Sequence, residues 1–215
     1  MLIKICGITS PDTAIACFES GADMIGLVHY PPSPRHLDET KIIEILDATA
    51  PFRQKTGQMI LVTVDQLPSE NVTNIVDGIQ IYREIRPDEH KQYRLPNLMI
   101  RGVKDYATFA RLLETPAKCE CGQQFLLELS AGILPGGNGA SWDWSRAKPF
   151  CERYFTFLAG GITPENVIDA IRQANPHGID VSSGVESAPG IKDTEKVRRL
   201  IENVRNYQPQ QEPIE

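Results

Sequence analysis

Several residues that could transfer protons lie at the C-terminal ends of short apolar, β-branched runs. Cys6, Glu128 and Asp180 each lie within the last two residues of one such run. A strand-end carboxyl group can act as an acid, although it pairs with a neighbouring cation about as often, and a strand cysteine is most often buried and inert. Proton transfer is therefore one interpretation of these residues. Other polar residues occupy equivalent positions: His29, Tyr30, Asp65, Gln80, Tyr82, Arg101, Ser182 and Ser183.

Small residues follow the last three apolar runs and favour an anion site. They are Gly136-Gly137-Asn138-Gly139, Gly160-Gly161 and Ser182-Ser183-Gly184. Glycine lets backbone amides approach a phosphate closely, and each turn alone is equally typical of an ordinary loop. Because all three turns follow neighbouring strands, together they favour a phosphate site more strongly than any one of them does alone. A dinucleotide site is excluded because no G-x-G-x-x-G opens a helix with an acidic residue about 20 positions later.

The elements that must position these residues alternate along the chain. Eight apolar runs predict strands at 2–6, 24–28, 59–64, 78–82, 98–100, 125–129, 155–158 and 178–181. Helical spacing occurs at 11–20, 38–50, 69–76, 105–114, 164–174 and 193–207. This alternation predicts parallel strands in a (β/α)8 TIM barrel over residues 1–207, with a polar tail at 208–215. The crossovers at 83–96 and 147–153 are the weakest, and strand count alone leaves an open doubly wound sheet as the alternative.

Composition restricts the class of partner. The 215 residues carry a net charge of −6 and no basic run, which argues against nucleic acid and leaves a phosphate-bearing small molecule possible. No apolar stretch approaches the roughly 20 residues that span a bilayer, and we expect no membrane association and a cytoplasmic location. The five cysteines form an odd set whose one close pair, Cys119 and Cys121, lacks the further ligands of a zinc site. Free thiols and no bound metal are expected.

Motifs along nearly the whole chain, in order from Lys4 to Asp193, carry a family resemblance. The quoted blocks are Lys4-Ile5-Cys6-Gly7-Ile8-Thr9, Gly21-Ala22-Asp23, Ser33-Pro34-Arg35, Gly136-Gly137-Asn138-Gly139, Trp142-Asp143-Trp144, Ala159-Gly160-Gly161-Ile162, Pro164-Glu165-Asn166-Val167, Asp180-Val181-Ser182-Ser183-Gly184-Val185-Glu186 and Gly190-Ile191-Lys192-Asp193. Together they resemble phosphoribosylanthranilate isomerase of tryptophan biosynthesis. The resemblance implies a (β/α)8 barrel and an Amadori rearrangement, in which an N-linked phosphoribosyl aminal becomes a 1-amino-1-deoxyribulose 5-phosphate.

The resemblance also implies roles for individual residues. Cys6 is expected to be the general base for the C2′ proton, Asp180 to hold or polarise the substrate hydroxyls, and Arg35 to bind the anthranilate carboxylate. The remaining expected substrate-binding residues are Lys4, Gln80, Tyr82, Gly136, Gly137, Gly139, Gly160, Gly161, Ser182, Ser183 and Gly184, with the glycine turns as the phosphate grip. The reaction involves no redox change, so no metal or cofactor is expected. The expected partner is a small phosphoribosyl substrate, and the expected assembly is a monomer or homodimer.

Three positions depart from the family pattern. Glu128 stands where the family's acid is an Asp, Tyr82 stands where a His follows the strand-four Gln, and His29 stands where an aromatic is usual. We expect Glu128 to replace the Asp as general acid, with an ion pair to Lys4 as its competing role. The thiol of Cys6, with an ordinary pKa near ~8.5, is expected to need the charge of Lys4 or of the iminium intermediate.

These departures leave three functions open. The first is the isomerase itself, with an adjusted pocket. The second is a paralogue that acts on another N-(5-phosphoribosyl) amine, and the third is a non-catalytic phosphosugar-binding barrel.

Overall fold

The sheet of this protein is a closed barrel of eight parallel strands. The structure is a computed structural model that describes residues 1–53, 55, 57–84, 89, 98–114, 123–129 and 141–208. The strands pair in chain order, and β1 also pairs with β8, so the barrel has no open edge. The predicted (β/α)8 barrel is therefore confirmed, and the open sheet is excluded. The strands are β1 Leu2–Cys6, β2 Met24–Val28, β3 Gln58–Thr63, β4 Gly78–Ile81, β5 Leu98–Val103, β6 Gln123–Leu127, β7 Thr156–Leu158 and β8 Gly178–Val181.

Helices pack around the barrel and begin at residues that can cap them. Ser10 accepts a hydrogen bond from the Thr13 amide ahead of α1, with Pro11 at its first position, and Asp193 caps the last helix through two amides. The helices are α1 Pro11–Glu19, α2 Glu39–Ala48, α3 Ala50–Arg53, α4 Glu70–Thr73, α5 Tyr106–Glu114, α6 Lys148–Cys151, α7 Val167–Ala174 and α8 Thr194–Asn206. Among the described residues, no helix is long and apolar enough to cross a membrane.

Side chains alternate between the barrel interior and the helix layer. Odd-numbered residues of β1, such as Ile3 and Ile5, join the large core under the helices, whereas Cys6 joins a smaller cluster inside the barrel. The β1–β8 register pairs Lys4 directly with Asp180. The alternation therefore sends the polar residues of several strands toward one interior.

The structure differs from the sequence expectation in a few elements. The weak crossover at 147–153 is a 3₁₀ turn, Trp144–Ala147, that continues into the short α6. β5 extends to Val103 rather than ending at residue 100, so Arg101 lies within the strand. A two-stranded sheet of β9 Glu186–Ala188 and β10 Ile191–Lys192 was not predicted. Most of the crossover at 83–96, and all of the predicted tail except Gln208, lie outside the described residues.

Candidate active site

One pocket of about 730 Å³, including its open mouth, lies at the C-terminal ends of the strands. Active sites of (β/α)8 barrels lie at this face. The pocket is lined by Cys6, Val28, Tyr30, Ser33, Arg35, Val62, Thr63, Val64, Gln80, Tyr82, Glu128, Ala159, Gly160, Gly161, Ile162, Asp180, Val181, Ser182, Ser183 and Gly184. The structure therefore brings together every described residue of the expected site except Lys4.

Lys4 lies beneath this pocket rather than in its wall. Its side chain is fully buried, and Nζ donates to Asp180 Oδ1 at 2.8 Å. Burial lowers the pKa of Lys4, but the negative charge of Asp180 and the hydrogen bond that it accepts from Lys4 outweigh that effect, so the pKa is raised overall. The ion pair that Lys4 makes among the described residues is with Asp180 and not with Glu128, its expected competing partner. Lys4 reaches the pocket only through Asp180 and Cys6, so direct contact with a substrate stays a prediction that this placement does not support.

Cys6 lies at the pocket floor, where its thiol is held neutral in the free protein. Burial raises the pKa of Cys6, and the nearby Lys4 ammonium lowers it by a smaller amount. Lys4 therefore lowers the pKa of Cys6 as expected, but the effect of burial is larger, so the pKa is raised overall. Space for the sulfur comes from Gly26 on β2, where an added Cβ would lie 2.7 Å from Cys6 Sγ and 3.1 Å from Lys4 Nζ. An interior strand glycine is a known mark of close approach, and this signal could have identified Gly26 from the sequence.

Gln80 and Tyr82 form a hydrogen-bonded pair in the wall. Gln80 Nε2 donates to the Tyr82 hydroxyl at 3.1 Å, while the buried Gln80 Oε1 has no partner among the described residues. Burial, followed by the charge of Glu128, raises the pKa of Tyr82 well above its usual 10.0, so the hydroxyl keeps its proton. The Tyr82 ring fits because Gly102 of β5 has no side chain. A Cβ added to Gly102 would lie only 2.3 Å from the ring. The unpartnered amide oxygen can accept a hydrogen bond from a ligand.

Glu128 follows β6 directly and is buried. Its amide donates to the Val103 carbonyl at 3.0 Å, which continues the strand ladder and fixes the backbone. The glycine at 160 makes room for the extra methylene of the side chain, since an added Cβ there would lie 3.2 Å from Glu128 Cγ. The same position is 2.8 Å from the Trp142 ring nitrogen, which donates to the Ala159 carbonyl at 2.9 Å.

The turns after β7 and β8 meet at the rim of the pocket. Gly160 and Gly161 have positive φ angles of 93° and 69°, which only glycine adopts without strain. An added Cβ on Gly184 would lie 1.9 Å from the Ile162 carbonyl oxygen, so the two turns are in direct contact. Asn166 Nδ2 donates to the Gly161 carbonyl and holds the first turn in place. The third predicted turn, with Gly136, Gly137 and Gly139, lies outside the described residues, as does Asn138.

Arg35 enters the pocket from the loop after β2, and two buried residues hold it. Its Nε and Nη2 donate to the two carboxylate oxygens of Glu186 at 2.7 and 2.6 Å, and Lys192 Nζ donates to Glu186 Oε1 at 2.7 Å. The Arg35 side chain passes over Gly7, where φ is 76° and an added Cβ would lie 2.3 Å from Arg35 Cδ. Gly7, Glu186 and Lys192 all lie in the quoted motifs, yet no sequence argument assigned them a role.

The other polar candidates divide between the pocket and its surroundings. Tyr30 and Ser33 line the pocket, and Ser33 Oγ accepts from the Arg35 amide at 3.1 Å. His29 points away, with Nδ1 2.9 Å from the Leu37 carbonyl and its ring against His36. In the described part of the chain, no three His, Cys, Asp or Glu residues cluster as metal ligands would.

Comparisons with known proteins agree with this geometry. A family model described as N-(5'phosphoribosyl)anthranilate (PRA) isomerase matches residues 3–203. The N-(5'-phosphoribosyl)anthranilate isomerase of Desulfatibacillum aliphaticivorans is 40% identical over 213 residues, covering 96% of each chain. The crystal structure of phosphoribosyl anthranilate isomerase from Thermotoga maritima is 30% identical, with a TM-score of 0.79, and the match covers 96% of this chain and 100% of that one.

A second solved structure bears on the ligand. It is a phosphoribosyl anthranilate isomerase in complex with reduced 1-(o-carboxyphenylamino)-1-deoxyribulose 5-phosphate, with 30% identity, a TM-score of 0.75 and coverage of 96% and 100%. Nothing in these comparisons favours the paralogue or the non-catalytic barrel. Together, the matched length, the identity and the shared barrel show that this chain belongs to the N-(5'-phosphoribosyl)anthranilate isomerase family, whose members are aldose–ketose isomerases of tryptophan biosynthesis.

Proposed function

We propose that this barrel converts N-(5-phosphoribosyl)anthranilate to 1-(2-carboxyphenylamino)-1-deoxyribulose 5-phosphate, with Glu128 as general acid and Cys6 as general base. The observation that carries the proposal is one pocket with a thiol and a carboxyl group on separate strand ends and a side-chain-free rim of Gly160, Gly161 and Gly184. The rearrangement moves protons within one ribose, so it needs both groups within reach of one small ligand.

In the first step, Glu128 gives a proton to the ribose ring oxygen. The C1′–O bond breaks, the nitrogen lone pair forms a C1′=N double bond, and the ring opens to a cationic iminium with a free C4′ hydroxyl. The buried carboxyl group of Glu128 lines the pocket, where it can donate a proton to a ligand oxygen. The position of Glu128 after β6 and that of Cys6 at the end of β1 put acid and base on different strands of the mouth.

In the second step, the thiolate of Cys6, formed by loss of the thiol proton to solvent, takes the C2′ proton and the iminium collapses to an enolamine. This intermediate gains a proton at C1′ and loses one from the C2′ hydroxyl, which gives the ketone and leaves the atom count unchanged. Because burial raises the pKa of Cys6, the thiol ionises only where a positive charge balances it. Lys4 supplies part of that charge and the iminium supplies the rest, and Asp180, fixed by Lys4, is left to hold the ribose hydroxyls.

The two ends of the substrate have their own supports. Backbone at Gly161 and Ser183 suits a phosphate, since the turns that carry these residues adjoin at the rim. Arg35 suits the anthranilate carboxylate, and Gln80 Oε1 offers an acceptor to a ribose hydroxyl. We expect a small phosphoribosyl substrate as the one partner that catalysis needs, no resident cofactor, and a monomer or homodimer in the cytoplasm.

The proposed function is tested by incubating the purified chain with N-(5-phosphoribosyl)anthranilate and separating substrate from product by chromatography. Turnover of this substrate, with at least about tenfold lower kcat/KM for N-(5-phosphoribosyl)aniline, supports the proposal. Faster turnover of the aniline compound identifies the paralogue instead. Binding of both without turnover identifies the non-catalytic barrel.

A further inference from the structure

Two buried ion clusters flank the pocket, and they differ in charge balance. The Lys4–Asp180 pair contains one cation and one anion. The second cluster contains two cations, Arg35 and Lys192, and one anion, Glu186. Among its described residues, the second cluster therefore has one more positive charge than negative charge. A buried charge is costly unless it is paired, so this excess positive charge favours binding of an anion.

The geometry of Lys192 indicates that it is a charged ammonium group. Its Nζ has three acceptors, which are Glu186 Oε1 at 2.7 Å, the Ser182 carbonyl at 3.1 Å and Ser182 Oγ at 3.3 Å. Three acceptors match the three protons of an ammonium. Burial lowers the pKa of Lys192 overall, and the Glu186 carboxylate offsets part of that effect.

The orientation of Arg35 leaves one edge of the guanidinium for a ligand. Both bonds to Glu186 use the Nε and Nη2 atoms, and no acceptor among the described residues takes a bond from Nη1. Arg35 lines the pocket, while Glu186 and Lys192 lie behind it and do not. Glu186 therefore fixes the plane of the guanidinium, and Lys192 shares the negative charge that would otherwise neutralise it.

We propose that Glu186 and Lys192 are positioning residues that together present Arg35 as an uncompensated positive charge for the carboxylate of the substrate's aromatic ring. Without Lys192, the Arg35–Glu186 pair would have no net charge, and a ligand carboxylate would bind Arg35 more weakly. With Lys192, the ligand carboxylate completes a cluster of two cations and two anions. This inference rests on the proposed function, because it assumes that the ligand carries a carboxylate.

The test compares two ligands that differ only in that carboxylate. One is reduced 1-(o-carboxyphenylamino)-1-deoxyribulose 5-phosphate, and the other is its phenylamino counterpart without the carboxylate. Calorimetry gives a Kd for each, and the ratio of the two Kd values measures the carboxylate preference. Both ligands carry the same phosphate, so a change at Ser182 cancels in this ratio.

We expect the wild type to prefer the carboxylate ligand and K192M to lose about tenfold or more of that preference. K192R, which keeps the positive charge, should retain most of it. K196M is the matched control, because Lys196 donates to the Glu186 backbone carbonyl rather than to its carboxylate and should leave the ratio unchanged. E186Q, which removes the two charged acceptors of Arg35, should also lower the ratio, and it provides a second test if K192M does not fold.

The outcomes separate this inference from the proposed function. A wild type without carboxylate preference would remove both the anthranilate role of Arg35 and the inference built on it. A wild type with strong preference, together with an unchanged ratio in folded K192M, would overturn the positioning role alone and leave the isomerase assignment intact. A higher ratio in E186Q would show that Glu186 only weakens the site, which would also contradict the inference.

Discussion

The chemical wall and the phosphate rim of the pocket are built by different means. The chemical wall, defined here as Cys6, Glu128, Asp180 and the Lys4 beneath them, depends on side chains whose protons and charges are set by their neighbours. The phosphate rim, defined as Gly160, Gly161, Ser183 and Gly184, depends on backbone that comes close because side chains are small or absent. A substitution in the chemical wall should therefore lower activity by changing proton transfer and charge. A substitution in the phosphate rim should lower phosphate affinity, because an added side chain clashes with the backbone.

The departures from the family pattern agree with this contrast. Glu128 and Tyr82 both lie on the chemical side, and each has glycine beside it, at 160 and 102 respectively. A longer or larger side chain can be accepted where a neighbour lacks a Cβ. At the rim, an added Cβ on Gly184 would lie 1.9 Å from a backbone oxygen, which cannot move as a side-chain end can.

The largest effect should come from removing the base. We expect C6A to lower kcat by about 10³-fold, because a positioned general base contributes roughly 10²–10⁴-fold. Binding of the reduced product analogue, which depends on the rim and on Arg35, should stay within about twofold in the same calorimetric assay. C17A is the matched control, since Cys17 is fully buried in α1 and does not line the pocket. Near-wild-type kcat in C6A would remove Cys6 from the mechanism.

A pair of glycine substitutions tests the two regions against each other. G26A adds a Cβ 2.7 Å from Cys6 Sγ, and we expect kcat to fall by about 10²-fold because the base is displaced, with ligand affinity retained. G184A forces the rim turns apart, and we expect affinity for inorganic phosphate to fall by about tenfold or more.

Steady-state kinetics with N-(5-phosphoribosyl)anthranilate and competition by phosphate measure both variants. Thermal unfolding of each variant shows whether the barrel is intact. The contrast between the two regions would fail if G184A lowered kcat alone, or if G26A lost phosphate affinity while kcat was unchanged.

A smaller effect concerns the ionisation of Cys6 in the free protein. Because burial raises its pKa, the thiol should stay protonated at neutral pH and ionise only in more alkaline solution. The difference in thiolate absorbance between wild type and C6A, followed against pH, measures this ionisation. Ionisation below pH 8 in the free protein would contradict the account, since Lys4 alone would then suffice to activate the thiol.

Much of the chemical wall could be predicted from alternation along the strands. Lys4 and Cys6 are two residues apart on β1, so both face the same side of the strand. The same rule, with the strand order of the barrel, brings Asp180 beside Lys4. The alternation of eight strands with helices predicted the barrel, but only the pairing of β1 with β8 excludes the open sheet that strand count had left as the alternative.

Other parts of the site depend on contacts that local sequence does not encode. Glu186 and Arg35 are 151 positions apart, and their bond depends on a two-stranded sheet that no periodicity indicated. The balance between burial and Lys4 at Cys6 also depends on packing, which is why the sign of the pKa shift was not predicted. Gly26 and Gly102 leave room for side chains of neighbouring strands, and the sequence does not show which side chains these are.

The most direct test of the central claim, that Glu128 is the general acid, is turnover of N-(5-phosphoribosyl)anthranilate by wild type, E128D and E128Q. E128D restores the family's side chain, and E128Q keeps the size of the glutamate but cannot give up a carboxyl proton. We predict measurable kcat in wild type and E128D, and a loss of about 10²–10⁴-fold in E128Q. Turnover in E128Q close to that of the wild type, or turnover that appears only in E128D, would contradict the account.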